Sequence, residues 1–258
     1  MDTRLNGSIV FVTGAASGQG KATVRLFAEE GATVIVADRH GDAAEQTAGE
    51  LRSVGHSAMA VKVDVSDADA VRAAFEAVVE EYGRVDVLVN NAAVGFSENS
   101  RLTMANVVDT PLDHWNAILA INLTGPALCA KAVLPLMAEQ GSGVIINIAS
   151  INGLVGLTGA DAYTATKGGL IALTRSIAAE WSARGIRVNC ICPGGVDTPM
   201  IAQILENPEA KDALSAQSPM GRLATPEEIA AVSVFLASPL AGYVNGVVLP
   251  VDGGYTAV

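Results

Sequence analysis

The sequence predicts a single-domain α/β protein: a doubly wound parallel sheet of about seven strands, with helices on both faces. Three observations carry this. Short β-branched runs alternate with helical stretches from end to end. Most of the runs are almost continuously apolar, as expected of parallel strands covered on both faces. No repeat, low-complexity tract or linker-like change of composition divides residues 1–258.

The strands fall at residues 9–13, 33–37, 59–63, 85–90, 144–148, 187–191 and 247–249. Helices fill the intervals 18–30, 42–54, 68–82, 112–137, 161–183 and 226–237. Within 68–82, Val71, Phe75, Val78, Val79 and Tyr82 recur at helical spacing. The helix at 226 has a start signal: Thr225 as the capping hydroxyl, Pro226 at the first position, then Glu227 and Glu228 on the positive dipole end. Two connections exceed routine turns. Residues 92–111 separate a strand from its helix, and 198–225 form a second long segment, partly helical at 200–206 and 209–216. Both leave carboxyl ends of strands, where open α/β sheets bind ligands, so they are expected to form the substrate wall and a lid.

Composition narrows the function classes. Half the residues are hydrophobic and 17% are charged, which excludes a disordered chain. With 16 Lys+Arg against 27 Asp+Glu the net charge is −11, which argues against nucleic-acid and anionic-membrane partners. No apolar run approaches the roughly 18 residues of a membrane span. The first residues carry no secretory h-region. Cys190 and Cys192 share one face of a strand. Without a third ligand at metal spacing they read, with Cys129, as buried reduced thiols of a cytoplasmic protein, and no metal site is expected.

Gly14, Gly18 and Gly20 follow the first strand and open a helix. Glycines let the backbone turn sharply and approach a ligand, and the helix start beyond them offers free N–H groups to a pyrophosphate. The plain alternative is a glycine turn; its position after the first strand favours dinucleotide binding. Asp38 ends the second strand, where an acid grips ribose hydroxyls. A carboxylate there repels a 2′-phosphate, so NAD is favoured over NADP. Arg39, beside it, could instead accept that phosphate, stack on adenine or stay solvated.

Tyr163 and Lys167 lie four apart on a predicted helix and share a face. A neighbouring ammonium lowers a phenol's pKa and makes it a usable proton donor or acceptor. The bland alternative is a solubilising surface pair; the small residues around Ala165–Gly169 suit close packing instead. Ser150 ends the fifth strand, where its hydroxyl could hold a reacting oxygen or cap a turn. Asn122 stands among apolar residues in a helix, as a functional or merely satisfied amide.

These residues resemble the short-chain dehydrogenase/reductase family over about residues 5–254. Thr13-Gly14-x-x-x-Gly18-x-Gly20 resembles its cofactor motif, Asp64-Val65 its adenine pair, and Asn90-Asn91-Ala92-Ala93 its Asn-Asn-Ala-Gly strand end. Asn122, Ser150, Tyr163 and Lys167 match its catalytic tetrad in order and spacing. Pro193-Gly194-Gly195-Val196-Asp197-Thr198 resembles its nicotinamide segment, and Val251-Asp252-Gly253-Gly254 its C-terminal signature. Gln19 stands where an aliphatic residue is usual, Ala93 replaces a glycine, and the 92–111 connection is longer than in common members.

The resemblance implies a Rossmann-like fold and a cofactor site of Gly14, Ser17, Gly18, Gln19, Gly20, Asp38, Arg39, Asp64, Val65, Asn91, Ala92, Tyr163, Lys167, Pro193, Gly194, Val196 and Thr198. Tyr163 would exchange the substrate proton, Lys167 would lower its pKa and hold the ribose, Ser150 would orient the oxygen, and Asn122 would support a water linking Lys167 to solvent. A homotetramer is implied, with helices 112–137 and 161–183 as surfaces. The expected activity is NAD-dependent hydride transfer with a secondary alcohol or ketone. Its rivals are an NADPH-dependent ketone or 3-oxoacyl-thioester reductase and a non-catalytic NAD-binding regulator. The expected walls are Val94, Phe96, Asn152, Leu154, Leu157, Gly195 and residues 200–214. These are mostly apolar and neutral, with no Arg or Lys pointing to a carboxylate or phosphate, and they favour an uncharged substrate, cyclic or hydrophobic alcohols included. His40, His56 and His114 read as surface residues.

Overall fold

A computed structural model describes residues 3–96 and 102–258. Seven strands, β1 (Ile9–Thr13), β2 (Thr33–Asp38), β3 (Ala58–Lys62), β4 (Val87–Asn90), β5 (Gly143–Ile148), β6 (Ile186–Pro193) and β7 (Val248–Val251), form one sheet. Every pairing is parallel and the order is β3-β2-β1-β4-β5-β6-β7. The order reverses between β1 and β4, which opens a crevice at their carboxyl ends.

Strand alternation splits the core in two. Val10, Val12, Val34 and Val36 face α1 (Gly18–Glu29), α2 (Gly41–Ser53) and α9 (Pro226–Ala237), burying Phe27, Ala48 and Ile229. Ile9, Phe11, Ile35 and Leu88 face α3 (Ala68–Tyr82), α5 (Gly125–Gln140) and α6 (Asp161–Trp181), with Phe11 stacked on Phe75 at 4.3 Å. Asp67 caps α3 by accepting from the Asp69 and Ala70 N–H groups. At α9, Thr225 Oγ1 accepts from Glu228 N (3.3 Å) while Glu228 accepts from Thr225 N (2.9 Å).

The stretch expected as one helix from 112 is α4 (Leu112–Leu119), a π-turn (Ala120–Thr124) and α5. Gly125 N donates to Ala120 O, the i→i+5 bond of the π form. This run, Leu112–Gln140, is long and apolar enough by composition to cross a bilayer, with a mean hydropathy of 1.7. Polar residues such as Asn116, Asn122 and Lys131 interrupt it, so it holds no continuous apolar run of span length. It packs as a core helix, with Cys129, Val133, Leu134 and Met137 buried against the sheet. In the 198–225 segment lie α7 (Ala202–Glu206) and α8 (Pro208–Ala216), the latter capped by Asn207.

Candidate active site

The carboxyl ends of the strands enclose a cavity of about 660 Å³. Its floor at the cofactor end is the glycine turn. A Cβ on Gly20 would lie 2.2 Å from Gly14 O, and one on Gly14 would lie 2.8 Å from Ala92 Cα, so the turn closes only without side chains there. Gly20 is thereby buried under the turn and does not line the cavity, whereas Gly14, Ser17, Gly18 and Gln19 do. Gly18 adopts φ +51°. Ser17 precedes α1 without a side-chain cap, and the first turn holds no acid. Its free N–H groups suit an anion.

Thr13 staples this turn to β4: its Oγ1 accepts from Asn91 N and Ala92 N, both at 3.0 Å. Asn91 Nδ2 donates to Thr13 O and Gly14 O at 3.0 and 3.1 Å. At the tip of β2, Asp38 accepts from Ala16 N (3.2 Å) and His40 N (3.0 Å), which fixes its carboxylate beside the turn. Arg39, Asp64, Val65, Asn91, Ala92, Pro193, Gly194, Val196 and Thr198 also line the cavity. The residues present therefore fit a dinucleotide: a cradle that side chains would fill, a helix start toward it and a carboxylate at the ribose position.

Ser150, Tyr163 and Lys167 meet at the other end, all buried. Ser150 follows β5 by two residues and caps the turn Ile151–Gly153, accepting from Asn152 N at 3.2 Å. Its hydroxyl also faces the Tyr163 phenol closely enough to favour the phenolate, so its capping and site readings are compatible. Lys167 Nζ donates to Ile148 O (2.8 Å) and lies 5.4 Å from the Tyr163 ring centre. The Phe96 ring lies 5.7 Å from that of Tyr163. Burial pushes the Tyr163 phenol up to about 12, with the Ser150 hydroxyl pulling the other way. This is opposite to the lowering expected from Lys167. Burial moves the Lys167 ammonium down to about 8, against the pull of the Cys190 and Cys192 thiols beneath it. Those two sulfurs lie 4.0 Å apart, and all three cysteines are buried.

Asn122 is not on the cavity wall. It is fully buried in the π-turn, where Oδ1 accepts from Val94 N (2.8 Å) and Nδ2 donates to Val94 O (2.9 Å). Its side chain thus holds the exit of β4 through Val94. Of the expected walls, Val94, Phe96, Asn152, Leu157, Gly195, Met200, Ile201 and Leu214 line the cavity; Leu154 turns away from it.

The expectation of walls without an arginine is corrected by Arg222, which lines the cavity and donates to Glu228 at 2.7 and 2.8 Å. The pair neutralises itself, so the wall gains no free cation. His40, read as a surface residue, also lines the cavity and remains exposed. Leu223, Met220 and Tyr255 join the wall from distant parts of the chain and carry no local signal. Among the described residues no metal-binding cluster forms.

A dinucleotide cradle joined to a Ser-Tyr-Lys group defines a nicotinamide-dependent oxidoreductase. The comparisons agree. A family model described as enoyl-(acyl carrier protein) reductase matches residues 14–256. The cis-4-hydroxycyclohexanecarboxylate dehydrogenase of Sinomonas cyclohexanicum is 44% identical, over 97% of each chain. The D-threitol dehydrogenase of Mycolicibacterium smegmatis is 42% identical, over 99% of this chain and 95% of that one. A gluconate 5-dehydrogenase of Burkholderia cenocepacia, solved with NADP and tartrate, superposes with a TM-score of 0.93 at 33% identity, covering 100% and 98%. The chain belongs to the short-chain dehydrogenase/reductase family. It is an NAD(P)-dependent oxidoreductase of the short-chain alcohol dehydrogenase type.

Proposed function

We propose that this chain is an NAD-dependent dehydrogenase of uncharged secondary alcohols, working also as a ketone reductase. The observation that carries the reading is the buried Ser150–Tyr163–Lys167 group at the end of a dinucleotide cradle. Asp38 supports NAD, because its carboxylate is held in place by Ala16 N and His40 N and would repel a 2′-phosphate. Arg39, exposed on the cavity rim beside it, favours the NADP reading, as does the NADP in the gluconate dehydrogenase structure. The apolar wall of Val94, Phe96, Leu157 and Met200 supports a neutral, ring-sized or hydrophobic substrate. The relative named for a cyclohexanecarboxylate fits the ring size but not the neutral charge, and the one named for threitol fits the neutral charge but not the ring.

When bound, the nicotinamide supplies the hydride acceptor or donor. Gly14, Ser17, Gly18, Gln19, Asp38, Asp64, Val65, Asn91, Ala92, Pro193, Gly194, Val196 and Thr198 would hold the cofactor, with Gly20 keeping the turn closed. Ser150 holds the substrate oxygen. Tyr163 takes the hydroxyl proton in oxidation and returns it in reduction. Its phenol is protonated in the neutral range, ready to donate. For oxidation that proton must first leave to solvent, and the adjacent Lys167, when charged, favours the phenolate that remains. Asn122 contributes by fixing Val94.

We also propose a homotetramer that uses the surfaces of Leu112–Gln140 and α6, checked by light scattering, and a cytoplasmic location consistent with three free cysteines. The test of activity is an absorbance screen for NADH and NADPH over secondary alcohols and ketones. Turnover is expected with NAD by a margin of about tenfold in kcat/KM. Tyr163→Phe should bind NAD yet lose roughly 10³-fold in kcat. Unchanged turnover in that variant would sink the assignment.

A further inference from the structure

One polar side chain at the catalytic end is unused by the reaction just described. Asn152 sits in the turn Ile151–Gly153, lines the cavity and is 7% exposed. Its backbone N–H donates to Ser150 Oγ, the hydroxyl that holds the reacting oxygen. Its carboxamide makes no hydrogen bond with any described residue. It is also not among the fully sealed polar atoms lacking a partner, which among the described residues are Asn90 Oδ1 and Thr164 Oγ1. The amide is therefore buried from bulk solvent while remaining reachable from the cavity. A ligand that fills this part of the cavity must therefore bond that amide or leave it unpaired, which is costly.

The turn that carries Asn152 is held rigidly. Gly153 N donates to Ser150 O (3.0 Å) and Leu154 N to Ile151 O (2.8 Å). A Cβ on Gly153 would lie 2.8 Å from the Lys167 backbone, so the turn rests directly on α6. Asn152 is thus fixed relative to Ser150, Tyr163 and Lys167. Much of the substrate wall is apolar, and two of the other neutral polar side chains that line the cavity differ from Asn152. Ser218 donates to Gly253 O, and Gln217 is exposed.

Resting on the alcohol dehydrogenase reading above, we propose that Asn152 reads a second oxygen on the carbon next to the reacting one, so that the preferred substrates are vicinal diols and the matching α-hydroxy ketones. A carboxamide offers both donors and an acceptor, which matches a hydroxyl and gives no preference for a charged group. Oxygens on neighbouring carbons lie about a hydrogen-bond length apart when gauche, so one can sit on Ser150 and Tyr163 while the other meets Asn152. In oxidation the reacting carbinol carbon gives its hydride to NAD⁺ and its hydroxyl proton to Tyr163. The products are NADH, one proton and the hydroxy ketone, and the second hydroxyl is unchanged.

The test compares kcat/KM for cyclohexane-1,2-diol against cyclohexanol, and for butane-2,3-diol stereoisomers against butan-2-ol, using the full chain with NAD. The wild type should prefer the diol by about 30-fold or more, because a site built to bond a hydroxyl rejects the analogue lacking it. Asn152→Leu should cut that preference by about tenfold, and Asn152→Ser, which restores a short donor and acceptor, should recover part of it. NAD binding and the melting temperature of each variant establish that it is folded. Should Asn152→Leu fail to fold, the shift in Asn152→Ser decides. A wild-type ratio near one, or a ratio unmoved by either variant, overturns the role of Asn152. No turnover of any of these alcohols with either cofactor overturns the dehydrogenase reading itself.

Discussion

The two ends of the cavity are built differently. The cofactor end consists of strand tips and one helix start, stapled by Thr13, Asn91 and Asp38 through short bonds to backbone groups. The substrate end is walled by the two long connections, which reach the site from far along the chain and rest mainly on apolar contacts. Leu102 and Met104, for example, pack on Val94, Ile118 and Ala162. A dinucleotide is a constant ligand that rewards a fixed cradle, whereas a substrate wall on loops can vary without disturbing the sheet. Breaking a staple should therefore cost cofactor affinity first, and loosening a loop should cost substrate selection first.

The strongest test of this division is Gly20→Ala. Its new Cβ would meet Gly14 O at 2.2 Å and Asn91 Nδ2 at 2.6 Å, both parts of the stapled turn. NAD affinity should fall by about a hundredfold, on the order of 3 kcal/mol by titration calorimetry. Gly156→Ala, where a Cβ meets nothing within 4 Å, should leave it unchanged. Wild-type NAD affinity in Gly20→Ala would show that the cradle yields, and the contrast between the two ends would fail.

The same division governs what could be read from sequence. The strands are legible because parallel strands are apolar throughout, and Gly14, Gly20 and Asp38 are legible because the strand–turn–helix pattern that carries them is local, although Asn91 and Ala92, which close on the turn, are not. Tyr163 and Lys167 are legible because a helix brings residues four apart together. The π-turn is not, since nothing in Ala-Ile-Asn-Leu-Thr marks an i→i+5 bond, and so Asn122's clamp on Val94 is hidden. Nor is Arg222: only the folded loop brings it to the cavity and shows Glu228 holding it. The direction of the Tyr163 shift is not legible either, because burial, which opposes the phenolate, is a property of packing rather than spacing.

Lys167 stands where the two ends meet, and its burial gives a second, smaller effect. Its folded pKa is about 8, below the ordinary 10.5. Below pH 8 it is charged in both the folded and unfolded chain, and folding bears the full cost of burying that charge. Between about pH 8 and 10.5 the unfolded chain keeps a proton that the folded one has lost, so this cost is relieved as pH rises. Relative to wild type, Lys167→Met should therefore be most favoured in thermal melts near pH 7 and lose that advantage toward pH 10. The lost bond to Ile148 O contributes only a pH-independent offset. A difference in Tm that stays constant with pH would mean that Lys167 carries no buried charge to relieve.

The smallest effect is expected where a loop is tied to the catalytic helix. Asp161 Oδ2 accepts from Val107 N at 2.8 Å, and Asp161 N donates to Ala105 O at 3.1 Å, two residues before Tyr163. Asp161→Ala removes the first bond and keeps the second, because the second uses backbone atoms only. The bond is exposed, so its loss should cost about 1 kcal/mol and lower Tm by only a few degrees. The connection carrying Val107 also brings Leu102 and Met104 onto Val94, whose other side is held by Asn122. A looser strap thus reaches the substrate wall through Val94, while Asp38 and the glycine turn lie beyond its contacts. KM for the alcohol should rise about threefold to tenfold, with NAD affinity within about twofold of wild type. If NAD affinity fell in step with the alcohol KM, the long connection would be supporting both ends of the cavity, and the separation between a stapled cofactor half and a loop-built substrate half would not hold.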